Sequence, residues 1–95
     1  MTTQLTNYAG KIVANHYVIT NDKGSFLQSY TTIVAQIDKD KKLTLSPKWN
    51  VSNIERKYLY IFLTKNGLEQ YSKKTSITDG IENGNIKVVD TIKTI

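Results

Sequence analysis

The sequence predicts an α+β domain: an antiparallel sheet of three or four strands, a main helix over residues 52–65 packed across one face, and a short second helix near 75–83. Three observations lead there. Runs rich in β-branched and aromatic residues, separated by polar turns, fill the chain up to Leu45. The pair Ser52 and Glu55 and the pair Asn66 and Gly67 punctuate a stretch with helical periodicity. The length, 95 residues with 39% hydrophobic and 22% charged side chains, suits one domain over residues 1–95 with a modest core.

Residues 1–10 are polar and threonine-rich and read as a flexible lead-in. Lys11 to Thr20 reads as the first strand. Val13, Tyr17 and Ile19 share one face with Asn15, and Ile12, Ala14, His16 and Val18 share the other. Asn21 to Gly24 supplies turn residues, so a hairpin follows. Ser25 to Ile37 reads as a second, long strand with a bend or bulge near Gln28 and Ser29. From Thr31 it alternates, with Thr31, Ile33, Ala35 and Ile37 on one side and Thr32, Val34 and Gln36 on the other. Asp38 to Lys41 is the next turn. Lys42 to Leu45 is a third strand, ended at Ser46 and Pro47 because proline lacks the ladder donor.

In the main helix the Ser52 hydroxyl can accept from the Glu55 amide, and the glutamate can reach back to the Ser52 amide. At steps of about 100° per residue, Ile54, Tyr58, Leu59, Ile61, Phe62 and Leu63 fill one arc, and Asn53, Arg56, Lys57, Tyr60 and Thr64 the opposite one. The run Tyr58 to Leu63 also fits a buried strand with Asn66-Gly67 as a hairpin turn; the cap and the segregation of faces favour the helix. Leu68 to Lys74 is a loop or short continuation. The second helix has Thr75 as candidate N-cap, Ile77 and Ile81 on one face and Gly84 as stop, while Gly80 inside it costs about 1 kcal/mol against alanine. Asn85 to Thr91 reads as a closing strand beside one of the first three.

The chain has no cysteine, which excludes disulfides and thiolate metal sites. No apolar run nears the roughly 20 residues of a membrane span, and the N-terminus lacks the pattern of a signal peptide, so a cytoplasmic protein without membrane contact is expected. His16 is the only histidine, with no nucleophile motif beside it, and reads as a partly buried strand residue. Asp38 and Asp40 lack the glycine and terminal glutamate of a calcium loop, and Gly80 to Asn85 lacks the Lys-Ser/Thr of a phosphate loop. No catalytic residue, metal or cofactor is expected.

The formal charge is +5 and the pI about 9.5, which rules out an acidic mimic of DNA and permits nucleic acid or an acidic protein face as partner. Two basic groups stand out. Arg56, Lys57 and Tyr60 share the polar arc of the main helix, with Lys65 at its end; guanidinium and ammonium can contact phosphate beside a tyrosine able to stack. Lys39, Lys41 and Lys42 lie in the turn before the third strand, with Lys48 near in sequence, and Lys73 and Lys74 can join either group. For both groups the plainer reading is a solvated surface. Trp49, between a proline and a helix cap, seals the core or anchors an interface.

Residues 25–63, SFLQSYTTIVAQIDKDKKLTLSPKWNVSNIERKYLYIFL, resemble small proteins of bacteriophages and mobile elements in which a Ser-Tyr strand and a hairpin lead to a Trp-Asp-Tyr-Ser segment and a helix ending near Phe-Leu. The matching positions are Ser29 and Tyr30, Trp49 to Ser52, Lys57, and Phe62 and Leu63. Asn50 and Val51 replace the acidic and aromatic pair, and Ile54 and Glu55 stand where threonines are common. The resemblance implies a non-enzymatic binding protein, with the anti-CRISPR proteins as the prominent class: an inhibitor of a host nuclease defence that acts in the host cytoplasm by occluding a protein or nucleoprotein effector. A small nucleic-acid-binding accessory or regulatory module is the alternative. An enzyme built on His16 is a distant third. An exposed edge strand leaves monomer and homodimer both open.

Overall fold

The computed structural model describes residues 1–94. The strands are β1 (Thr2–Thr6), β2 (Ile12–Asn21), β3 (Gly24–Ser29), β4 (Thr32–Ile37), β5 (Leu43–Leu45) and β6 (Ile86–Val88), and the helices are α1 (Asn53–Lys65) and α2 (Lys74–Glu82). The α+β class holds, but the sheet is larger than expected and mixed. It has six strands in the order β1 to β6, an antiparallel meander closed by β6 running parallel to β5. A parallel neighbour needs a long crossover, and α1 and α2 provide it between β5 and β6. Among the described residues no helix is long and apolar enough to cross a membrane.

The residues expected as a lead-in form β1, whose threonines suit a half-solvated edge and whose Leu5 is buried. Met1 helps hold it, its carbonyl accepting from the Thr20 amide at 2.7 Å. The expected strand Ser25 to Ile37 is two strands. Ser29 pairs with Thr32 across a tight reversal at Tyr30 and Thr31, with Tyr30 at φ 55°. Tyrosine rarely takes that conformation, so turn chemistry did not betray the reversal. In β4, Leu27 opposes Ala35 while Gln28 opposes Ile33, which leaves Val34 as the extra residue of a bulge. Val34 and Ala35 therefore both enter the core.

A second irregularity decides where His16 points. Gln4 opposes Tyr17 but Thr6 opposes Ile12, so β2 carries extra residues, and Asn15 within them has φ 62°. The alternation changes sign across Asn15, so that Val13 and His16, assigned to opposite faces by strict alternation, are both buried.

The core lies between the inner face of the sheet and the helices. Leu27, Ala35, Ile37, Leu43, Leu45 and Ile86 from the strands meet Leu59, Ile61, Phe62 and Leu63 of α1 and Ile77 of α2. Trp49, in a 3-10 turn (Pro47–Asn50) whose Lys48 amide donates to the Ser46 hydroxyl at 3.1 Å, is 6% exposed and belongs to this core, as its sealing role requires. Ile54 does not: expected on the apolar arc, it lies in the first turn of α1 and is 63% exposed. At the other end of α1, Gly67 takes φ 82° and the Leu68 amide returns to the Leu63 carbonyl at 2.8 Å, closing the helix as Asn66 and Gly67 predicted. The second helix begins at Lys74, one residue before the candidate cap Thr75; the Ser76 hydroxyl satisfies the Lys73 amide and carbonyl instead.

The closing strand is also shorter than expected. After Val88 the Val89 amide still donates to the Leu45 carbonyl, but the chain then turns back over the second face of the sheet, where the Asn21 side chain donates to the Thr94 carbonyl at 2.7 Å. Ile92 is buried there, as is Phe26, which the register places opposite Ile19 and Gln36 on that second face. The tail so gives this side a small apolar cover of its own.

Candidate binding surface

Arg56, Lys57 and Tyr60 do lie on α1, but the fold uses two of them. Both Arg56 amino groups donate to asparagine side chains, Nη1 to Asn50 and Nη2 to Asn53, so the guanidinium ties the 3-10 turn to the start of the helix. Tyr60, expected to face outward, is half-buried and packed against the core. Only Lys57 is exposed with no side-chain partner among the described residues. Lys65 also has structural work: its ammonium donates to the Thr6 carbonyl at 2.6 Å and the Thr6 hydroxyl at 2.7 Å, holding the end of α1 to the edge strand.

The lysine turn is built by Asp38. Its Oδ1 accepts from the Asp40 and Lys42 amides at 2.9 and 3.0 Å, while its backbone pairs with Lys42 and Lys41. This side-chain-to-backbone closure is the usual reason for an aspartate at the first turn position. It forces Lys41 to φ 62° and leaves Lys39, Lys41 and Lys42 exposed. Lys41 reaches across to donate to the Asn66 carbonyl at 3.1 Å, at the open C-terminal end of α1, where a cation is favoured.

Lys41 and Lys42 do not stand alone. They line a groove of about 430 Å³ with Asp38, Thr44, Tyr71, Asn85 and Lys87. Lys87 comes from β6, because the parallel ladder sets it opposite Thr44. Sequence reasoning passed over it: one lysine in a closing strand looks like an ordinary outward residue, and only the β5–β6 register carries it to the lysine turn. Lys39 is on the same turn but does not line the groove, and Lys48 lines a separate cavity with Tyr30, Val51 and Glu55.

The charge in the groove is only partly compensated. Three lysines face one aspartate, and that carboxylate is already committed to two turn amides. Among the described residues the sole ion-pair contact in the protein is between His16 and Glu55, so no lysine or arginine is within pairing distance of a carboxylate.

His16 and Glu55 form a different kind of site. The ring is 3% exposed, its Nδ1 2.8 Å from the Ala14 carbonyl and its Nε2 3.2 Å from Glu55 Oε2. A carbonyl only accepts, so Nδ1 is the donor to Ala14, and Nε2 is turned to the Glu55 carboxyl group. Tyr58 lies 4.5 Å from the ring, centroid to centroid, and Tyr30 6.1 Å away in edge contact. Ser29 is the register partner of His16 and is buried, which places serine, histidine and glutamate side by side. Yet both ring nitrogens are occupied, and neither is free to take the hydroxyl proton as a serine nucleophile demands. The spacing of Ser52 and Glu55 predicts a capping box. The Ser52 hydroxyl does accept from the Glu55 amide at 3.1 Å, but the carboxylate turns to His16 rather than back to the Ser52 amide. Among the described residues no three His, Asp or Glu side chains group to hold a metal ion.

Compared with protein-family models, curated proteins and solved structures, the chain finds no match.

Proposed function

We propose that this protein acts by stoichiometric binding, through the basic edge formed by Lys39, Lys41, Lys42 and Lys87, and that its partner is a host nuclease defence complex that it occludes. The observation that carries the binding surface is the groove in which three lysines from two separated segments meet around a single aspartate, none of them in an ion pair among the described residues. A net positive cluster attracts an anionic partner over distances of about 10 Å at ordinary salt. The resemblance of residues 25–63 to small phage and mobile-element proteins supports the choice of partner and an anti-CRISPR-like role in the host cytoplasm. Direct nucleic-acid binding by an accessory module is the second reading, and the sign of the charge favours it equally.

A pull-down from host lysate, run with and without nuclease treatment, tests the proposal. The expected result is capture of a nuclease effector, loss of capture by Lys41→Glu with Lys42→Glu, and inhibition of the captured nuclease that saturates near equimolar protein. If capture disappears with nuclease treatment and no nuclease is inhibited, the accessory-module reading replaces it. If Lys57→Glu abolishes capture and the Lys41 and Lys42 reversals do not, the face lies on α1.

A further inference from the structure

We infer that the groove between the lysine turn and β6 is a site for the phosphate backbone of single-stranded nucleic acid. The inference rests on the binding reading above and names the ligand of the same surface.

Four features of the groove select this chemistry. Its cations are lysines, point charges on flexible stems that suit a row of phosphates rather than the paired oxygens of one carboxylate, for which the arginine fork is the better match. Of the three, Lys42 and Lys87 make no side-chain hydrogen bond or ion pair among the described residues, so an incoming phosphate displaces no protein acceptor there. Thr44 and Asn85 add uncharged hydrogen-bonding groups, the kind that commonly contact phosphate and sugar. Tyr71 borders the same groove, half-buried and packed against the core as Tyr60 is, so it offers a sugar or base a fixed ring edge beside the cations rather than a full stacking face. Cations tracking a backbone beside an aromatic are the usual means of gripping a single strand without reading its sequence.

The sign of the charge points the same way. A nuclease binds nucleic acid through cationic surfaces, which repel a protein of net charge +5. Within a nucleoprotein, the anion open to a basic inhibitor is the nucleic acid itself. Shape selects the strand form. A concave groove of about 430 Å³ has room for about one nucleotide, which a flexible single strand can lower into it while its neighbours follow the rim; in a duplex, pairing and stacking hold each nucleotide back.

The test uses the isolated protein, without any effector. Fluorescence anisotropy is measured with a labelled single-stranded oligothymidine, the matched duplex and a polyglutamate peptide of equal charge, across a salt series. The single strand is expected to bind most tightly, with log K falling against log salt at a slope of about −2, as for three phosphate contacts. Lys87→Gln should lower that slope by about 0.7, and the triple change Lys41→Gln, Lys42→Gln and Lys87→Gln should weaken binding at least about tenfold in low salt. Lys48→Gln, an equal charge change at a lysine that lines a separate cavity, should leave binding within about twofold of the parent. Far-UV circular dichroism confirms that each variant folds. Equal binding by the parent and the triple variant overturns the inference, as does polyglutamate binding as tightly as the single strand. The two readings fail separately. Capture and inhibition of an effector without oligonucleotide binding sinks the phosphate site alone. Oligonucleotide binding through the groove without effector capture sinks the inhibitor proposal alone.

Discussion

Gly80 joins the fold to the proposed site, and its replacement by alanine has a predictable sign. By helix propensity alone, Gly80→Ala in α2 should stabilise by about 1 kcal/mol. The structure reverses that expectation. A Cβ at Gly80 would stand 2.6 Å from Ile86 Cδ1, 2.9 Å from Ile86 Cγ1 and 3.2 Å from Tyr71 Cε1. Gly80 and Ile86 are both buried, so neither the helix nor β6 can yield without moving packed neighbours. Overpacking of this kind costs about 1–3 kcal/mol, which more than offsets the gain in propensity, and a net loss of about 1 kcal/mol follows. Ile86→Val removes the nearest methyl group and alone should cost about 0.5–1.5 kcal/mol. In the double variant the alanine methyl takes up part of that space while the remaining Cγ still stands 2.9 Å away, so the double should lose clearly less than the sum of the two single changes. Urea unfolding followed by Trp49 fluorescence measures all three, with an unchanged slope showing that the two-state reading holds. Stabilisation by Gly80→Ala, or strict additivity in the double, would refute the packing argument. Because Ile86 adjoins Lys87, Gly80→Ala should also weaken oligonucleotide binding although it changes no charge.

Glu55→Ala strips the buried His16 of one partner and should cost about 1–3 kcal/mol, whereas Glu55→Gln should cost less because its amide can donate to Nε2; equal losses in urea unfolding would mean that the hydrogen bond does not matter. Trp49, 6% exposed, should emit in the blue and resist acrylamide quenching, and a red, readily quenched emission would remove it from the core. Lys65→Met should speed amide exchange in β1 selectively, since it removes the bonds from α1 to Thr6; exchange that rises equally in β1 and in the central strands would show that the edge strand is not held this way.

The parts legible in sequence are those set by neighbours in the chain. The Ser52 cap, the apolar arc from Leu59 to Leu63 and the Asn66-Gly67 stop are local, and α1 formed as they require. The lysine turn was legible because Asp38 closes it over four residues. What stayed hidden depends on distant partners or on rare backbone states. The reversal at Tyr30 and Thr31 carries no glycine, asparagine or proline, and the parity change in β2 arises from Asn15 at φ 62°. The crossover that sets β6 parallel to β5 leaves no local trace. With it were lost the edge position of Lys87 and the reason for Gly80. Glu55 misled for a related reason: its spacing from Ser52 satisfied a local rule, while its carboxylate answered to a histidine 39 residues away.

The two basic groups differ in what their charges already do, and that difference decides between them. For Arg56 to grip a phosphate it must release Asn50 and Asn53, loosening the turn that seats Trp49, and part of any binding energy would go into undoing the fold. Tyr60 would have to leave the core before a base could stack on its full face. Lys42 and Lys87 give up only water, and Lys41 gives up a single bond to the Asn66 carbonyl at the exposed end of a helix. Ligand contacts made by already committed groups are exchanges with small net gain; contacts made by uncommitted charges count nearly in full. On that ground the groove outranks the helix face, although in sequence the helix face, with its arginine, lysine and tyrosine one turn apart, is the more conspicuous of the two.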